Sequence, residues 1–429
     1  MSDLIEEFRW RGLLQDLTDG AAEHLAAGQR TCYVGFDPTA SSLHVGSLLP
    51  IMALVHAQRH GHHPIALVGG GTGLIGDPSG KTEERRLLSL ENAAANAEAI
   101  RAQLQRFLDF GSRNNPARMR DNLDWLGEIR MVDFLRDTGK HFRVNEMLRK
   151  ESVRRRLQSG DTGISYTEFS YLLLQAYDFL ELHRREECTV QLGGSDQWGN
   201  ITAGIDLIRR VTGVSAHGVV LPLLTTSTGV KLGKTETGTI WLDPTRTSPY
   251  RFYQYWINAT DDDALRYLRL FTLLEQDEVV RVGEAARAEP AARHAQRAVA
   301  EDMTWRVHGE DGLTRARLAT RALFGGSLEG LTADEIADIF TDVPWSEVPL
   351  GELAGDGTSV VDLLVGARLA GSKSAARRAI EGGGIYVNGR CVEGVDARAT
   401  AREAIDGRFL VLRKGKKNYA LVRLIRGGP

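Results

Sequence analysis

The sequence has few cysteines and no long apolar run. Its three cysteines, Cys32, Cys188 and Cys391, lie far apart. Their odd number and wide spacing exclude a disulfide framework and a metal site of the Cys-x-x-Cys type. No apolar run approaches the roughly 20 residues that cross a bilayer. The N-terminal string MSDLIEEFRWRGLL lacks the basic start and apolar segment of a signal peptide, so we expect a cytoplasmic protein with no membrane partner.

Charge is distributed unevenly along the chain. The sequence holds 53 Lys and Arg against 56 Asp and Glu, a net charge of −3. Residues 358–429 contain 14 Lys and Arg and 6 Asp and Glu. This segment therefore carries +8, and the rest of the chain carries −11. A basic terminal block with enough apolar residues to fold indicates a small module that binds a polyanion.

The first half of the chain has the order of elements typical of a parallel sheet. Residues 30–36 and 64–68 are predicted strands, joined by a predicted helix that ends near residue 60. This strand–helix–strand order implies a right-handed crossover between parallel strands. Further predicted elements are helices at 90–110 and 167–183, a buried strand at 188–192 and an extended segment at 219–224.

The glycine-rich segment 69–81 ends in Gly80-Lys81, which Thr82 follows, but it does not match a P-loop. A P-loop has four residues between its two glycines, whereas Gly76 and Gly80 are separated by three. Pro78 also removes one of the backbone N–H groups that would bind phosphate. We therefore reject a P-loop NTPase. The segment instead presents Asp77 at the carboxyl end of a strand, where open α/β sheets bind ligands.

The segment after the first strand has residues suited to phosphate. Pro50 is tolerated near a helix start, so the helix is predicted to begin around residues 44–47. Thr39 and His44 then lie at its positive end, and Gly46 allows a phosphate or a flat ring to approach the backbone. For His44 alone, a solvated surface histidine is the simpler interpretation.

A second segment with phosphate-binding character lies far downstream. The string KLGKT places Lys231 and Lys234 on a predicted loop. Mobile lysines suit a charge that grows during a reaction, because they need engage only in the transition state. Alone, such a string is more often a solvated loop.

The predicted helix over 167–182 carries one polar stripe. Most of its residues are apolar, which is typical of a buried helix. Tyr171, Gln175 and Asp178 fall at i, i+4 and i+7 on one face. Buried polar groups without partners are costly, so the stripe should face a ligand, water or a matching polar group. The alternative is that it faces solvent.

Five strings occur together and in order: GFDPTASSLHVG, GGGTGLIGDPSGK, FSYLLLQAYDF, QLGGSDQWGN and KLGKT. As a set they resemble the bacterial tyrosyl-tRNA synthetases over nearly the whole chain. The first and last resemble the HIGH and KMSKS signatures of class I aminoacyl-tRNA synthetases. The resemblance implies an α/β fold: a Rossmann-type parallel-sheet catalytic domain, a helical domain and a small basic α+β S-four-like RNA-binding domain.

The resemblance also implies a domain order. Segment 342–358, with two prolines and three glycines, is predicted as a linker. The predicted segments are a Rossmann-type catalytic domain at 1–220, a signature loop and connector at 221–248, a helical anticodon-side domain at 249–340, a linker at 341–357 and an S-four-like RNA-binding domain at 358–429.

The implied activity is that of a ligase with two steps. The carboxylate of L-tyrosine attacks the α-phosphorus of ATP in line, giving tyrosyl-adenylate and pyrophosphate. The tyrosine then passes to the 3′ end of tRNA(Tyr). ATP enters as a substrate with Mg²⁺, no tightly bound protein metal is implied, and the family expectation is a homodimer.

The resemblance assigns roles residue by residue. The tyrosine-binding residues would be Tyr33, Asp77, Tyr171, Gln175, Asp178 and Gln197, with Asn122 and Gln191 as supporting partners. The ATP-binding residues would be Gly35, Asp37, His44, Gly46, Ser47, Asp196 and Lys234. The residues around the departing pyrophosphate would be Thr39, His44, Lys81, Arg85, Lys231, Lys234 and Thr235.

Three positions depart from the family pattern. Ser47 stands where the first signature has a second histidine, and Val34 stands where the family has a cysteine near the ribose. Either change could weaken ribose contacts, but neither removes a phosphate ligand. Leu232 replaces a residue that is often aromatic or methionine, which is a change in packing.

The basic C-terminal segment has its own motif. Residues 372–380 are predicted as a short helix with Lys373 and Arg377 on one face, followed by a strand and the turn Asn388-Gly389. This pattern resembles the S-four-like RNA-binding domain, and a solvated basic face is the alternative. The predicted RNA-binding residues are Lys373, Arg377, Arg378, Arg413, Lys414, Lys416 and Lys417.

Two other functions stay open at this point. A tryptophanyl synthetase is a close relative, and because indole is only a donor, Tyr33 and Asp178 do not exclude it by chemistry alone. The surrounding strings and the basic tail favour tyrosine. The second alternative is a non-catalytic RNA-binding protein on a retired synthetase frame, against which the intact HVGS and KLGKT strings argue.

Overall fold

In the computed structural model, six short strands of the N-terminal part form one sheet. The structure describes residues 3–79, 88–150, 153–154, 157, 163–227, 229, 231–235 and 238–426. The strand order is β1-β6-β5-β2-β3-β4. All neighbours are parallel except β1 and β6. These strands are β1 (Asp16–Leu17), β2 (Thr31–Phe36), β3 (His63–Val68), β4 (Arg118–Asp121), β5 (Cys188–Gly194) and β6 (His217–Leu221).

The chain order confirms the predicted parallel-sheet architecture. From β2 the chain runs through a helix to β3 on one side, whereas β5 lies on the other side of β2. The strand order therefore reverses between β2 and β5, and ligands of open α/β sheets bind at the carboxyl ends of the strands at such a point. The predicted strands at 30–36, 64–68 and 188–192 are confirmed. The segment predicted as extended at 219–224 forms β6 only up to Leu221.

The structure divides into two compact units. The first comprises Met1–Thr247 and Trp256–Val307, and the second comprises Ser248–Tyr255 and His308–Pro429. The boundary falls inside the segment predicted as one helical domain, and the five-segment division remains a prediction. Of the described helices, none has the length and apolar character of a membrane span.

Helices surround the first sheet. They are α1 (Leu4–Arg11), α2 (Ala21–Ala26), α3 (Leu48–Arg59), α4 (Thr72–Ile75), α5 (Leu90–Leu104), α6 (Leu123–Leu126), α7 (Met131–Asp133), α8 (Val144–Met147), α9 (Tyr166–Glu186) and α10 (Trp198–Thr212). They are followed by α11 (Pro249–Ile257), α12 (Asp261–Phe271), α13 (Gln276–Ala288) and α14 (His294–Leu323), and a short hairpin is formed by β7 (Lys234–Thr235) and β8 (Gly238–Thr239).

The helix that carries the polar stripe, α9, begins at a side-chain cap. Ser165 Oγ accepts a hydrogen bond from the backbone N–H of Glu168, as expected at a helix N-terminus. Tyr171 and Asp178 are buried, at 4% and 2% exposed, and Gln175 is half-buried. Since two of the three stripe residues are buried, the alternative that the stripe faces solvent is wrong.

The second unit contains a five-stranded sheet in the order β12-β11-β14-β15-β9. Its strands are antiparallel except for β9 and β15. The elements of this unit are α15 (Ala333–Ile339), β9 (Trp345–Pro349), β10 (Thr358–Ser359), α16 (Val360–Gly366), α17 (Lys373–Glu381), β11 (Ile385–Val387), β12 (Arg390–Cys391), β13 (Arg398–Ala399), β14 (Phe409–Lys414) and β15 (Asn418–Ile425).

The strand β14 packs against a hydrophobic core on each of its two faces. Alternate residues on β14 point to opposite faces: Leu410 and Leu412 join the core with α16 and α17. Phe409 and Val411 join a separate core with residues 319–340. The end of α14 and the helix α15 therefore pack on the basic C-terminal segment.

The structure differs from the linker prediction at 345–349. These residues form β9, which pairs in parallel with β15 from Trp345 to Pro349. A strand tolerates proline at its ends and at a sheet edge, and Pro344 and Pro349 occupy such positions. Pro344 still contributes its carbonyl, which accepts the backbone N–H of Leu421 at 2.9 Å.

Candidate active site

A buried carboxylate lies at the inner end of the polar stripe. Asp178 accepts hydrogen bonds from Asn122 Nδ2 at 2.9 Å and from Trp125 Nε1 at 2.7 Å. Burial raises the pKa of Asp178 to about 8, against the effect of these two donors, which lower it. The two fixed donors orient both carboxylate oxygens, and each oxygen retains a further lone pair for a ligand.

Two buried polar atoms on neighbouring strands have no partner among the described residues. Tyr33 on β2 and Gln191 on β5 are paired in the sheet register. Both are buried, and within the described residues neither the Tyr33 hydroxyl nor Gln191 Oε1 has a hydrogen-bond partner. Burial, followed by the charge of Asp178, raises the pKa of Tyr33 well above its usual value. Buried polar groups are normally hydrogen-bonded, so a polar ligand or water bound in this pocket would satisfy them.

A hydrogen-bond network connects the pocket to the end of β2. Asn122 Nδ2 also donates to Thr72 Oγ1 at 2.8 Å, and the Thr72 hydroxyl donates to Asp37 Oδ1 at 2.7 Å. Tyr171 donates its hydroxyl proton to the other oxygen of Asp37 at 2.8 Å. Asn122, predicted as a supporting partner, is thus the junction between Asp178 and Asp37. Thr72 was not predicted.

The glycines after β3 leave room for the carboxylates of Asp37 and Asp121. A Cβ added to Gly69 would lie 2.1 Å from Asp37 Oδ1, and one added to Gly70 would lie 2.3 Å from Asp121 Oδ1. Neither distance is possible for a real side chain. The Gly-Gly-Gly string therefore lets the backbone approach two carboxylates.

A second network lies at the end of β5. Asp77 Oδ1 accepts the backbone N–H of Ser79 at 2.8 Å, and Asp77 Oδ2 accepts from Gln197 Nε2 at 2.7 Å. Asn200 Nδ2 donates to Gln197 Oε1 at 3.0 Å and to Gln175 Oε1 at 2.9 Å. The structure thus brings the predicted residues Asp77, Gln175 and Gln197 together, and Asn200 joins them.

The LHVG string forms a 3₁₀ turn, Val45–Ser47, directly before α3. His44 is exposed, and its Nδ1 accepts the backbone N–H of Gly46 at 3.0 Å. Because Nδ1 is an acceptor, the proton of the neutral ring lies on Nε2. The imidazole can therefore donate through Nε2 at the start of the helix, where a phosphate is favoured.

The KLGKT loop packs directly on this turn. Gly233 has φ +78°, and a Cβ there would lie 3.0 Å from Val45 Cβ and 3.1 Å from the Gly46 nitrogen. The backbone N–H of Val45 donates to the carbonyl of Ile240 at 3.0 Å, and the N–H of Ile240 donates to the carbonyl of Gly233 at 2.9 Å. Two strings that are almost 190 residues apart in the sequence thus touch.

The remaining predicted nucleotide residues lie around these two networks. Gly35 and Thr39 are exposed, and Ser47 is half-buried and accepts from the His44 backbone N–H over a long 3.5 Å. Desolvation and the charge of Asp77 raise the pKa of Asp196, and the charge of Lys231 lowers it. Lys81, Arg85 and the side chains of Lys234 and Thr235 lie outside the described residues.

The predicted RNA-binding residues differ in how they are held. Lys373 forms a 2.6 Å ion pair with Asp362. The Arg413 guanidinium lies 3.7 Å from the centre of the Tyr386 ring, and Lys414 Nζ donates to the carbonyl of Leu369 at 3.2 Å. The exposed members of the predicted set are Lys373, Arg377, Arg378, Lys416 and Lys417.

Three residues of the site were missed from the sequence: Thr72, Trp125 and Asn200. Trp125 follows Asn122 by three positions, and Asn200 follows Gln197 by three. On a helical turn this spacing brings side chains together, so the sequence offered a signal that Trp125 and Asn200 lie next to Asn122 and Gln197. Thr72 lies in the glycine-rich segment, whose polar residues resemble those of an ordinary turn.

Comparisons with known proteins agree with this geometry. The model of the class I tRNA synthetases for tryptophan and tyrosine matches residues 26–325. The model of a C-terminal domain found in tyrosine–tRNA ligases matches residues 335–422. Among the described residues, no group of three or more His, Cys, Asp or Glu side chains is placed to hold a metal ion.

Relatives that match over nearly their whole length are tyrosine–tRNA ligases. The tyrosine–tRNA ligase of Roseiflexus castenholzii is 55% identical over 425 residues, which cover 99% of this chain and 100% of the relative. That of Geobacillus stearothermophilus is 51% identical over 424 residues, covering 98% of this chain and 99% of the relative.

Solved structures show the same fold. A C-terminally truncated mitochondrial tyrosyl-tRNA synthetase of Aspergillus nidulans has a TM-score of 0.69 and 30% identity, and the match covers 76% of this chain and 95% of that one. A tryptophanyl-tRNA synthetase of Encephalitozoon cuniculi has a TM-score of 0.52 at 14% identity, with 78% and 90% covered, and it is similar in fold alone. The chain belongs to the tyrosine–tRNA ligase family of class I aminoacyl-tRNA synthetases, and it is an enzyme.

Proposed function

We propose that this enzyme activates L-tyrosine with ATP to tyrosyl-adenylate and pyrophosphate, and then transfers tyrosine to the 3′ end of tRNA(Tyr). The observation that carries the proposal is the hydroxyl of Tyr33, which is buried beside Asp178 and has no hydrogen-bond partner among the residues that the structure describes. A phenol satisfies both groups, because its hydroxyl accepts a hydrogen bond from the Tyr33 hydroxyl and donates one to an oxygen of the Asp178 carboxyl group.

The same pocket distinguishes tyrosine from its competitors. Phenylalanine would leave the Tyr33 hydroxyl without a partner in a buried site, and such sites reject a substrate without the hydroxyl; this enzyme family is itself the example from which that rule is drawn. The indole N–H of tryptophan can donate to Asp178, but it has no lone pair to accept from Tyr33. Tyrosine therefore fits better than tryptophan.

The second network supports the amino-acid end of the substrate. The α-ammonium group is held by the carboxylate of Asp77, the hydroxyl oxygen of Tyr171 and the amide oxygen of Gln175. All three are acceptors, and a carboxylate next to a cation forms the strongest of these bonds. Gln197 Nε2, which already donates to Asp77, uses its second proton for the substrate carboxylate.

The first step needs positioning and charge stabilisation rather than a general base. A substrate carboxylate is already ionised at neutral pH, and in-line phosphoryl chemistry depends on alignment and on electrostatics. Mg²⁺ enters with ATP. The groups proposed around the nucleotide and the departing pyrophosphate are Gly35, Asp37, Thr39, His44, Gly46, Ser47, Lys81, Arg85, Asp196, Lys231, Lys234 and Thr235.

The second unit is proposed to bind the tRNA. Residues 358–429 carry a net charge of +8, and exposed cations lie on α17 and at the turn between β14 and β15. Contacts between these cations and phosphates give an affinity that falls steeply as salt increases.

We also propose that the enzyme is a homodimer and that it acts in the cytoplasm. Five large apolar side chains of the first unit are exposed within a stretch of 18 residues of the sequence. A surface of this kind is typical of protein–protein contact, and a second copy would cover it. These side chains are Met131, Val132, Leu135, Val144 and Leu148.

The test is ATP–pyrophosphate exchange with single amino acids. Only tyrosine should support exchange. Exchange with tryptophan instead would favour a tryptophanyl synthetase, and no exchange with either amino acid would contradict the proposed activation reaction. Lys234→Ala should then lower the rate of activation about a hundredfold or more, as does the loss of a donor that acts only in the transition state. The affinity for tyrosine should stay nearly constant, and a stopped-flow loss mainly in tyrosine binding would contradict this role of Lys234.

A further inference from the structure

Asn200 occupies a central place in the second network. It is the third residue of α10 and is 5% exposed. Its single Nδ2 group lies 2.9 Å from Gln175 Oε1, 3.0 Å from Gln197 Oε1 and 3.5 Å from Ser79 Oγ. An NH₂ group has two protons, so the two glutamine oxygens are its main acceptors.

The orientation of the two glutamine amides depends on different partners. A glutamine can present either its oxygen or its NH₂ group in one direction, because its last side-chain torsion is broad and nearly two-fold. Gln197 is held twice, since its NH₂ also donates to Asp77. Gln175, in contrast, is oriented by the donor Asn200. Without this donor, an NH₂ group can replace the oxygen that faces the substrate.

We propose that Asn200 is a positioning residue that keeps the amide oxygen of Gln175 directed at the α-ammonium group of the amino-acid substrate. The inference rests on the proposed function, because Gln175 is placed at the ammonium group there. Asn200 acts only through Gln175. Its removal should weaken ligands that carry an ammonium group and spare those that lack one.

Three ligands of the pocket separate this role from a structural one. Tyrosine has both the ammonium and the carboxylate group, tyramine lacks the carboxylate, and 3-(4-hydroxyphenyl)propionate lacks the ammonium. In Asn200→Ala, binding of tyrosine and tyramine should weaken about five- to tenfold, the usual consequence of losing one hydrogen bond. Binding of the propionate should change less than twofold, as should the KM for ATP.

Asn115→Ala is the matched control. Asn115 also donates two hydrogen bonds through its side-chain amide, to the carbonyls of Gln58 at 2.6 Å and His62 at 3.0 Å. It lies outside both networks. Its replacement should lower the thermal midpoint and leave the affinity for all three ligands unchanged.

The variant Gln175→Ala tests the proposed ammonium site separately from the role of Asn200. If Gln175→Ala leaves tyramine binding unchanged, the proposed ammonium site is wrong. If Gln175→Ala weakens tyramine and Asn200→Ala does not, the site stands and the role of Asn200 is wrong. Equal weakening of all three ligands in Asn200→Ala would also overturn it.

A double variant gives an independent measurement. Asn200→Ala added to Gln175→Ala should weaken tyramine less than twofold further, because the residue acts through Gln175 alone; a further five- to tenfold loss would contradict the inference. If Asn200→Ala does not fold, Asn200→Ser serves in its place. Serine is too short to reach Gln175 and should give the same selective loss.

Discussion

Replacing Gly233 by alanine should slow formation of tyrosyl-adenylate. The left-handed backbone at φ +78° costs a non-glycine residue about 1–2 kcal/mol. The added Cβ would also lie 3.0 Å from Val45 Cβ and 3.1 Å from the Gly46 nitrogen, well inside the roughly 3.5–4.0 Å of ordinary contacts. The KLGKT loop must therefore move away from the LHVG turn by about half an ångström.

The size of the effect follows from this displacement. Misplacing a reacting or positioning group by about 1 Å costs on the order of a hundredfold in rate, so about half of that shift should cost about tenfold. The tyrosine pocket is built from β2, β5 and α9 rather than from this loop. The affinity for tyrosine should consequently stay within twofold of the wild type, and the loss should appear in the rate constant.

Gly229→Ala is the control for backbone strain. Gly229 has φ +84° in the same loop region, and its added Cβ meets no atom within 4 Å. Rapid-quench measurement of a single turnover with ATP and tyrosine reports the rate, and titration with tyrosine reports the affinity. An equal loss of rate in both variants would show that strain alone is responsible. A loss of tyrosine affinity in Gly233→Ala would equally refute the reasoning.

Three further predictions follow from other parts of the structure. Folding raises the pKa of Asp178 to about 8 from about 3.9 in the unfolded chain. Because only the folded state holds the proton between these values, the free energy of unfolding of the wild type should decrease as the pH rises through this range. Asp178→Asn should flatten this decline by up to about 1.4 kcal/mol per pH unit in urea titrations at several pH values, and parallel curves would contradict it. Deleting residues 358–429 should preserve adenylate formation and weaken salt-sensitive tRNA charging, but it uncovers the apolar side of 319–340, so size-exclusion chromatography should show self-association. Arg11, 1% exposed, donates to three carbonyls within 269–274. Arg11→Met should lower the free energy of unfolding on the order of 3 kcal/mol, and a loss below 1 kcal/mol in chemical denaturation would refute this.

Elements with a strong local pattern were predicted from the sequence. The strands β2, β3 and β5 are short apolar runs, and α9 has a serine cap and a long apolar surface. The polar stripe of α9 was also visible, since its spacing of i, i+4 and i+7 is a property of the helix itself. The periodicity of the sequence does not tell which of these polar groups have hydrogen-bond partners in the protein. The structure shows this.

Features that depend on distant partners were not predicted. β9 is a strand because it pairs with β15, more than 70 residues later, whereas the prolines and glycines of segment 342–358 alone indicate a linker. Thr72 has no sequence signature and Asn200 has only its spacing from Gln197, and the importance of both comes from Asp37 and Gln175 on other elements. Local sequence thus predicts elements, whereas the hydrogen-bond partners of a site are set by tertiary packing.

The packing of β14 on both of its faces restricts how the second unit can bind RNA. One face is covered by α16 and α17, and the other by residues 319–340. The strand β14 therefore presents no aromatic side chain to stacked bases. Exposed cations lie on α17, at 416–417 and at positions 368, 390, 398, 402, 408, 423 and 426, so we expect contact mainly through phosphates rather than through bases. This arrangement favours recognition of backbone shape and charge over recognition of sequence by this unit.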